Sequence, residues 1–182
     1  MKGVWSVSKL HVTIPAGDTE NLLIFHSGGL DCAFPLESVR EVAPMATLSS
    51  PPGLPSGLAG FLDLRGTAVP ILRLDRLFGL PEQTPGLHTP MIVLHGVRGP
   101  IGVLVNSVRA IVPVRTEELL DIPEDRTFRG CVTAALQRDG DLIHVLSPAA
   151  LLSAHEESLL VNFGAMSRAR LLQLNAKEDV RN

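Results

Sequence analysis

The sequence predicts an all-β protein made of two small barrels. Apolar segments of strand length, about ten in number, alternate along the chain with turn signals. The 182 residues include 16 glycines and 14 prolines, a share above the average of roughly 12%. Helical patterns stay short until the C-terminal part of the chain. Strands this short and this numerous fit two small barrels better than one large barrel.

Composition and charge exclude several classes of protein. With 45% hydrophobic residues and a formal net charge of −3, the chain is too apolar and too weakly charged to be disordered. It is mildly acidic and has no local cluster of lysines and arginines, which argues against nucleic acid as a partner. Its apolar runs are far shorter than the roughly 20 residues of a membrane-spanning helix, and no secretion signal is visible. We therefore expect a cytoplasmic protein that is not inserted into the membrane.

The first half of the chain predicts two hairpins. Gly28-Gly29 suits the positive φ of a two-residue hairpin turn, and Arg65-Gly66 forms the second turn. Between them, Leu36 to Val42 places apolar residues at helical spacing and predicts a short helix or turn. The other predicted elements are strands at 20–27 and 30–34, a Pro/Gly loop at 49–57, strands on both sides of the turn within 58–74, and a short helix at 75–79.

The second half predicts two further hairpins and a closing helix. Thr116 is expected to cap one helical turn that runs to Leu120. Ser147 and Pro148 are typical of a helix start, here running to Leu152. The predicted strands cover residues 91–95, 101–105, 108–114, 130–136 and 142–146, with turns at 96–100 and 138–141.

Residues 156–175 have apolar side chains three to four positions apart, with Glu157, Arg168 and Arg170 between them. This pattern predicts an amphipathic helix. Because so apolar a helix rarely remains exposed, packing against the chain's own barrels is favoured over a role as an interaction tail.

The sequence carries no local motif for catalysis or metal binding. Cys32 and Cys131 lie in apolar, strand-like stretches without CxxC spacing, which predicts buried free thiols. None of the six histidines has the spacing of a metal site. An enzyme on a β-barrel scaffold is the alternative, and it would need His95 or His144 to meet an acid and a nucleophile in the fold. We expect no enzymatic activity and no cofactor.

Arg65 is the residue that rises above this background. It lies at the tip of a predicted hairpin, beside Gly66. An arginine there projects into solvent or into a partner, and its planar guanidinium suits bidentate contact with carboxylates or carbonyls. A solvated turn arginine without a partner is the competing interpretation.

Residues 61–80 combine Leu-Arg-Gly, a proline four residues later, and a short helix that ends in Gly-Leu. This combination resembles the signature of CheW-like domains, the chemotaxis coupling proteins. Other segments are similar to further parts of that family in the same order: Leu22–Phe25, Ala33–Leu36, Val39–Val42, Gly102–Val108 and Leu142–Leu152.

The resemblance implies a fold of two intertwined, five-stranded, SH3-like barrels with short helices and a C-terminal helix. It places the CheW-like domain at 20–154, after an N-terminal lead-in at 1–19 and before a C-terminal helical extension at 155–182.

The resemblance also implies a non-enzymatic adaptor. Such proteins bridge the cytoplasmic tips of methyl-accepting chemoreceptors to the regulatory domain of a CheA-type histidine kinase, and other CheW-like proteins are further expected partners. The receptor tip would dock in a groove between the barrels. Carried over by position, the implied partner-binding residues are Val39, Glu41, Leu64 and Arg65, with Val105 and Val108 lining the groove.

Four positions depart from the family pattern. Asp63 stands where the family has asparagine, and Arg73, Asn106 and Ser147 stand where it has aspartate. The order of strands and turns is intact, so the fold is still expected. An alternative function is a CheW-like adaptor that regulates a kinase outside chemotaxis.

Overall fold

The computed structural model describes residues 19–55, 57–82, 84–96, 99–123, 127 and 130–151. These residues form eleven strands, one short α-helix and two 3₁₀ turns, and none of their helices is long and apolar enough to cross a membrane. The strands are β1 (Thr19–Ser27), β2 (Leu30–Pro35), β3 (Val39–Pro44), β4 (Leu58–Leu64), β5 (Thr67–Arg73), β6 (Pro90–Gly96), β7 (Gly99–Leu104), β8 (Ser107–Arg115), β9 (Leu119–Leu120), β10 (Val132–Arg138) and β11 (Asp141–Leu146). The helix α1 is Leu74–Phe78, and the 3₁₀ turns are Leu36–Ser38 and Thr116–Glu118.

The strands form two sheets, which confirms the predicted all-β fold built from two sets of strands. The first sheet has the order β8-β1-β2-β11-β10-β9, and the second has the order β3-β6-β7-β5-β4. Neighbouring strands are antiparallel except for β2 with β11 and β5 with β7, which are parallel. The first sheet has one strand more than the five expected, because the two-residue β9 pairs with β10.

The two sheets exchange strands, so that they are intertwined. The chain leaves the β1–β2 hairpin and supplies β3 to the second sheet, where β3 pairs with β6. It then completes the β6–β7 hairpin and returns β8 to the first sheet, where β8 pairs with β1. Each sheet therefore includes a strand that follows a hairpin of the other sheet: β8 in the first sheet and β3 in the second.

The hydrophobic core follows from this arrangement. Strands β1 and β6 are buried on both faces, with unbroken buried runs at Leu22–Phe25 and Met91–Leu94. Along each run, alternate side chains face opposite sides. Leu23 and Phe25 join residues of the second sheet, including Ile92, in one core that both sheets share. The intervening residues fill a separate core within each sheet: Leu22, Ile24, Ala33, Val114, Leu136, Ile143 and Val145 in the first, and Leu62, Val69, Ile71, Met91, Val93 and Leu104 in the second.

Two predicted helical segments are shorter than expected. The helix or turn predicted for Leu36–Val42 is a single 3₁₀ turn followed directly by β3, because the segment from Val39 pairs with β6. The helical turn predicted from Thr116 is likewise one 3₁₀ turn, which stops where Leu119 pairs with β10. Its N-cap is Arg115 rather than Thr116, and the Arg115 backbone N–H donates to Glu118 Oε2 at 2.8 Å.

The helix predicted from Ser147 begins as a turn within the described residues. The Ala150 N–H donates to the Ser147 carbonyl oxygen at 3.2 Å, and Leu151 is buried in the shared core. The remainder of that helix, the C-terminal helical extension at 155–182 and all but the last residue of the lead-in lie outside the described residues.

The β1–β2 hairpin packs closely against Leu80, the second residue after α1. Gly28 and Gly29 have φ values of 60° and 85°, as the two-residue turn requires. A Cβ on Gly28 would lie 2.7 Å from Leu80 Cδ1 and 2.9 Å from Leu80 Cβ, whereas a Cβ on Gly29 would meet nothing within 4 Å. Glycine at position 28 is thus required by contact as well as by conformation.

This pair of glycines gives a matched test of the packing between the hairpin and Leu80. Gly29→Ala is expected to cost about 1 kcal/mol, the penalty for a side chain at positive φ. Gly28→Ala is expected to cost a further 1–3 kcal/mol or so, because the hairpin or Leu80 must move. The free energies of unfolding in urea measure both values. Equal costs for the two substitutions would contradict the packing described above.

Candidate functional site

Arg65 is placed where the sequence predicts, at the tip of the β4–β5 hairpin. Its φ is 54° and that of Gly66 is 82°, so both turn residues adopt positive φ. The turn is held by the Gly66 N–H, which donates to Asp63 Oδ1 at 2.7 Å. Arg65 is exposed and makes no hydrogen bond or ion pair with any residue that the structure describes.

The conformation of Arg65 is costly for a residue with a side chain. Positive φ destabilises a non-glycine residue by about 1 kcal/mol, and only asparagine and aspartate reduce that cost with local hydrogen bonds. No hydrogen bond or ion pair between the arginine side chain and the described residues compensates for this conformational cost. Contacts among the described residues therefore give no stability reason for an arginine at this turn.

Val39 and Glu41 lie on β3, the strand that crosses into the second sheet. Val39 is opposite Leu94 and Glu41 is opposite Val93, with a β-bulge between them. Val39 is half-buried against the shared core, and Glu41 is half-buried with Arg40 Nε 3.8 Å from its Oε1. Both side chains therefore keep part of their surface open to a partner.

Leu64, at the end of β4, is also half-buried and packs against the core of the second sheet. In the hydrogen-bonded order of that sheet, β3 and β4 are the two outermost strands. The structure thus places Val39 and Glu41 on one outer strand and Leu64 and Arg65 on the other.

Val105 and Val108 lie where the two sheets meet. Val108 is half-buried against the shared core, opposite Phe25 of β1. Val105 is only 2% exposed, and its N–H donates to the Pro90 carbonyl oxygen at 3.1 Å. Val108 can therefore contact a partner directly, while Val105 supports the surface from beneath.

Val105 also lines a polar cavity at this junction. The cavity opens where the end of β1 meets the ends of β5 and β7. Its lining residues are Ser27, Arg73, Asp75, Thr84, Pro85, Thr89, Leu104, Val105 and Asn106. Neither His95 nor His144 belongs to it, so this cavity does not assemble the site that an enzyme would need.

Arg73 and Asp75 form a buried ion pair in the wall of the cavity. Arg73 Nε donates to Asp75 Oδ1 at 3.0 Å, and Arg73 Nη2 donates to Asp75 Oδ2. Asp75 Oδ1 also accepts the N–H of Arg76 at 3.0 Å. The hydrogen bonds to Asp75 raise the pKa of Arg73, although burial acts in the opposite direction. The charge reversal at position 73 is accommodated because an aspartate two residues later neutralises it.

Other departures from the family pattern also have local solutions. Asp63 accepts the hydrogen bond that holds the Arg65 turn. Asn106 Oδ1 accepts the Gly28 N–H at 3.1 Å, and the Asn106 N–H donates to the His26 carbonyl oxygen at 2.9 Å. A neutral amide thereby ties the β7–β8 connection to the β1–β2 hairpin. At position 147 the N–H of the backbone donates to the Cys131 carbonyl oxygen at 2.8 Å, a contact that does not depend on the serine side chain.

The structure provides no activated thiol at Cys32 and no metal cluster within the described residues. Cys32 and Cys131 are both buried thiols that form no disulfide within the described residues. Burial, assisted by the nearby charge of Asp31, raises the pKa of Cys32 to about 12. No group of three or more His, Cys, Asp or Glu side chains in the described residues is arranged to hold a metal ion.

One polar cluster on the first sheet was not predicted from the sequence. His26 Nδ1 lies 2.8 Å from Asp31 Oδ1, and Arg109 Nη1 lies 3.0 Å from Asp31 Oδ2. The turn at Gly28-Gly29 was a sufficient signal for the contact between His26 and Asp31, because a two-residue hairpin places these residues opposite each other. No comparable signal predicts the contact made by Arg109, which comes from β8.

Comparison with known proteins finds the same family through a family model and through individual relatives. The family model described as "CheW-like domain" matches residues 21–156. The chain is 31% identical over 108 residues to the probable chemotaxis protein CheW of Rhizobium etli, covering 59% of this chain and 69% of that protein. It is 28% identical over 126 residues to the chemotaxis protein CheW of Klebsiella aerogenes, covering 68% of this chain and 73% of that protein.

A solved structure supports the fold independently. The scaffolding protein TtCheW from Thermoanaerobacter tengcongensis superposes with a TM-score of 0.69 at 18% sequence identity. The match covers 75% of this chain and 94% of that one.

The ion pair in the cavity wall gives a stability prediction. Asp75→Ala removes the carboxylate that accepts two hydrogen bonds from the buried Arg73 guanidinium and is expected to cost about 3–5 kcal/mol of unfolding free energy. Adding Arg73→Met to that variant should recover most of the loss, because no buried charge remains. Glu82→Ala is the control, since Glu82 pairs with Arg76 at the exposed surface and should cost under about 0.5 kcal/mol. If Asp75→Ala and Glu82→Ala cost the same, the Arg73 charge is not buried as described.

His144 gives a prediction on pH dependence. Burial lowers the pKa of His144 in the folded protein, so the unfolded chain takes up a proton at higher pH than the folded chain. The stability linked to His144 is therefore fully present above the ordinary histidine pKa of about 6.5 and is lost as pH falls below it. Urea unfolding at about pH 7.5 and about pH 5.5 should show a smaller decrease for His144→Gln than for the unmodified chain. His95→Gln, at an exposed strand position, should leave the decrease unchanged.

Proposed function

The chain belongs to the CheW-like domain family, and from that premise we propose that it is a non-enzymatic adaptor of chemotaxis signalling. In this role it couples the cytoplasmic tips of chemoreceptors to the regulatory domain of a CheA-type histidine kinase, at receptor arrays on the cytoplasmic side of the membrane. The relatives named as chemotaxis proteins and the structural relative named as a scaffolding protein support the same role.

The observation that carries the proposal is the state of Arg65. This arginine is exposed, holds an unfavourable φ of 54° and makes no polar contact with the described chain. A guanidinium presented on a tight turn can form two parallel hydrogen bonds to a partner carboxylate. Its conformational cost is then offset by binding rather than by folding.

The remaining site residues suit a mixed apolar and charged contact. Val39 and Val108 keep part of their apolar surface open over the shared core, and this suits the apolar stripe of a helix. Glu41 and Arg65 belong to opposite outer strands of the second sheet, so each would meet a partner at a different place, and charged groups at the margin of an interface affect orientation and association rate more than affinity. Val105 is buried in the shared core, beneath the partly exposed Val108.

Binding two partners at once is what allows such a protein to act without chemistry. A module that holds a receptor and a kinase domain together raises their effective concentration for each other. A change in the receptor can then bias the kinase, provided that the two binding sites are coupled through a rigid body. The core that both sheets share supplies such a body.

Binding assays with purified components test the proposal. The full chain should retain both a receptor cytoplasmic fragment that includes the helical tip and the regulatory domain of the kinase. Retention of the kinase domain alone would favour the alternative adaptor of a kinase outside chemotaxis. Retention of neither would reject the proposed function.

Charge reversal at Arg65 tests the site. Arg65→Glu is expected to weaken partner binding by about tenfold or more, since a paired guanidinium is replaced by a repelling carboxylate. Its melting temperature should be nearly unchanged, because Arg65 makes no polar contact with the described chain. Arg138→Glu, an exposed arginine beside the β10–β11 turn, is the matched control and should bind normally. Equal weakening by both variants would mean that net charge matters and the position does not.

A second substitution separates the role of Arg65 in binding from its role in folding. Arg65→Asn places at positive φ a residue that tolerates it, so stability should rise by up to about 1 kcal/mol while binding weakens. Urea unfolding and calorimetric titration measure the two effects on the same sample. A loss of stability on this substitution would make Arg65 a structural residue and would remove the main support for the proposal.

A further inference from the structure

Strands β9, β10 and β11 carry an apolar face that is directed away from the core of the first sheet. On these strands, the residues next to those of the first sheet's core point to the opposite side. Leu120 of β9 lies opposite Ala135 of β10, and Ala135 lies opposite His144 of β11. Leu142 is two residues from His144 and is therefore on the same side. Together, these four residues form what we call the β9–β11 face.

The β9–β11 face is continuous with the shared core. His144 lies beside Cys32 in the parallel pairing of β11 with β2, and Cys32 belongs to the shared core. Exposure increases along β11 away from that core, from 1% at Leu146 to 50% at Leu142, with His144 half-buried between them. Leu120 is 47% exposed. The second sheet therefore covers only part of this side of the first sheet.

Exposed leucines that occur singly are common on protein surfaces and need no explanation. Leu87, 81% exposed in the connection between α1 and β6, is such a case among the described residues. Leu120 and Leu142 differ from it, because they share one face with the buried Ala135 and with His144, whose pKa is lowered by burial. Two of the three large apolar side chains that are exposed in the described part of the chain thus lie on one sheet face.

The described part of the chain ends next to this face. After β11, the Ser147 N–H donates to the Cys131 carbonyl oxygen at 2.8 Å, just before the start of β10. Leu151, the last described residue, is buried in the shared core. Residues 152–155 can span about 15 Å, which is comparable with the distance of about 13 Å between Leu146 and Leu142 along β11. Residue 156 is therefore within reach of the β9–β11 face.

Residues 156–175 contain the apolar side chains that such a face requires. Their spacing predicts an amphipathic helix whose apolar residues are Leu159, Leu160, Phe163, Met166, Leu171, Leu172 and Leu174. A helix of this length extends about 30 Å, enough to cross three strands that lie about 5 Å apart. The family model matches residues 21–156, so the position of this segment does not follow from membership of the family.

We propose that residues 156–175 dock as a helix on the β9–β11 face, with their apolar stripe over Leu120, Ala135 and Leu142. A tethered segment acts at an effective concentration of about millimolar, so a small apolar contact is enough to hold it. A second copy of the chain would need far more area, because a stable interface buries about 800 Å² on each partner. The docked helix would enlarge the rigid body, and it requires neither partner of the proposed function.

Hydrogen–deuterium exchange of the full chain, followed by mass spectrometry, tests this docking. In the unmodified chain, the amides of residues 156–175 should exchange at least about tenfold more slowly than those of an unstructured peptide of the same sequence. Leu142→Asp places a charge beneath the helix and should remove this protection. Leu87→Asp is the control, the same change at an exposed leucine elsewhere, and should leave the protection intact. An unprotected segment in the unmodified chain, or equal protection in the two variants, would overturn the inference.

Photo-crosslinking keeps the inference testable should Leu142→Asp fail to fold, because the probe is apolar. In the full chain, p-benzoylphenylalanine in place of Leu142 should crosslink to a peptide within residues 156–175 of the same molecule, as identified by mass spectrometry of the monomer band from a denaturing gel. The same probe in place of Leu87 should not reach that segment. A crosslinked dimer would make a second copy the occupant of the face, and a monomer without crosslinks to residues 156–175 would place the segment elsewhere. Either result overturns the inference.

Discussion

The exchange of β3 and β8 between the two sheets is the constraint on which the rest of the structure depends. The β1–β2 and β6–β7 hairpins are each followed by a strand that pairs in the other sheet, so neither sheet can be completed alone. The exchange brings β1 and β6 into the interior, where they are buried on both faces. Their alternating side chains then build a core for each sheet and one core between them. Separating the sheets would expose the shared core, which makes the molecule one mechanical unit.

This constraint also determines which surfaces remain for binding. The β4–β5 hairpin is hydrogen-bonded to the rest of the second sheet through the parallel pairing of β5 with β7, and its Leu62, Val69 and Ile71 pack in the core of that sheet. Its tip with Arg65 therefore extends from a fixed base. The β7–β8 connection runs between the sheets. Asn106 in this connection makes two hydrogen bonds to the β1–β2 hairpin, one through its side-chain amide to Gly28 and one through its backbone N–H to His26. The Arg73–Asp75 pair lies in the same junction. Polar contacts thus hold the junction between the sheets, beside the apolar surface of Val108.

The sequence allowed prediction of the elements that depend on local chemistry. Hairpin turns at Gly28-Gly29 and Arg65-Gly66 follow from their glycines, which tolerate positive φ, and the structure confirms both turns. Strand β3 was not predicted, because the spacing of Leu36 and Val39 suits a helical turn, while its pairing with the distant β6 decides the conformation. The bulge at Arg109 depends on the register between β1 and β8, which are far apart in the chain. The neutralisation of Arg73 by Asp75 was also missed, although only two residues separate them, because burial rather than spacing makes that pair important.

The central claim is that one rigid body holds a receptor and a kinase together. Sedimentation of membranes or assemblies that carry the receptor, with the kinase regulatory domain and increasing amounts of this chain, tests it most directly. The proposed function predicts that the kinase domain sediments with the receptor only when this chain is present, and that Arg65→Glu abolishes this co-sedimentation at concentrations where the unmodified chain is sufficient. The proposed function is wrong if the kinase domain sediments equally with or without the chain, or if the chain binds one partner only by releasing the other.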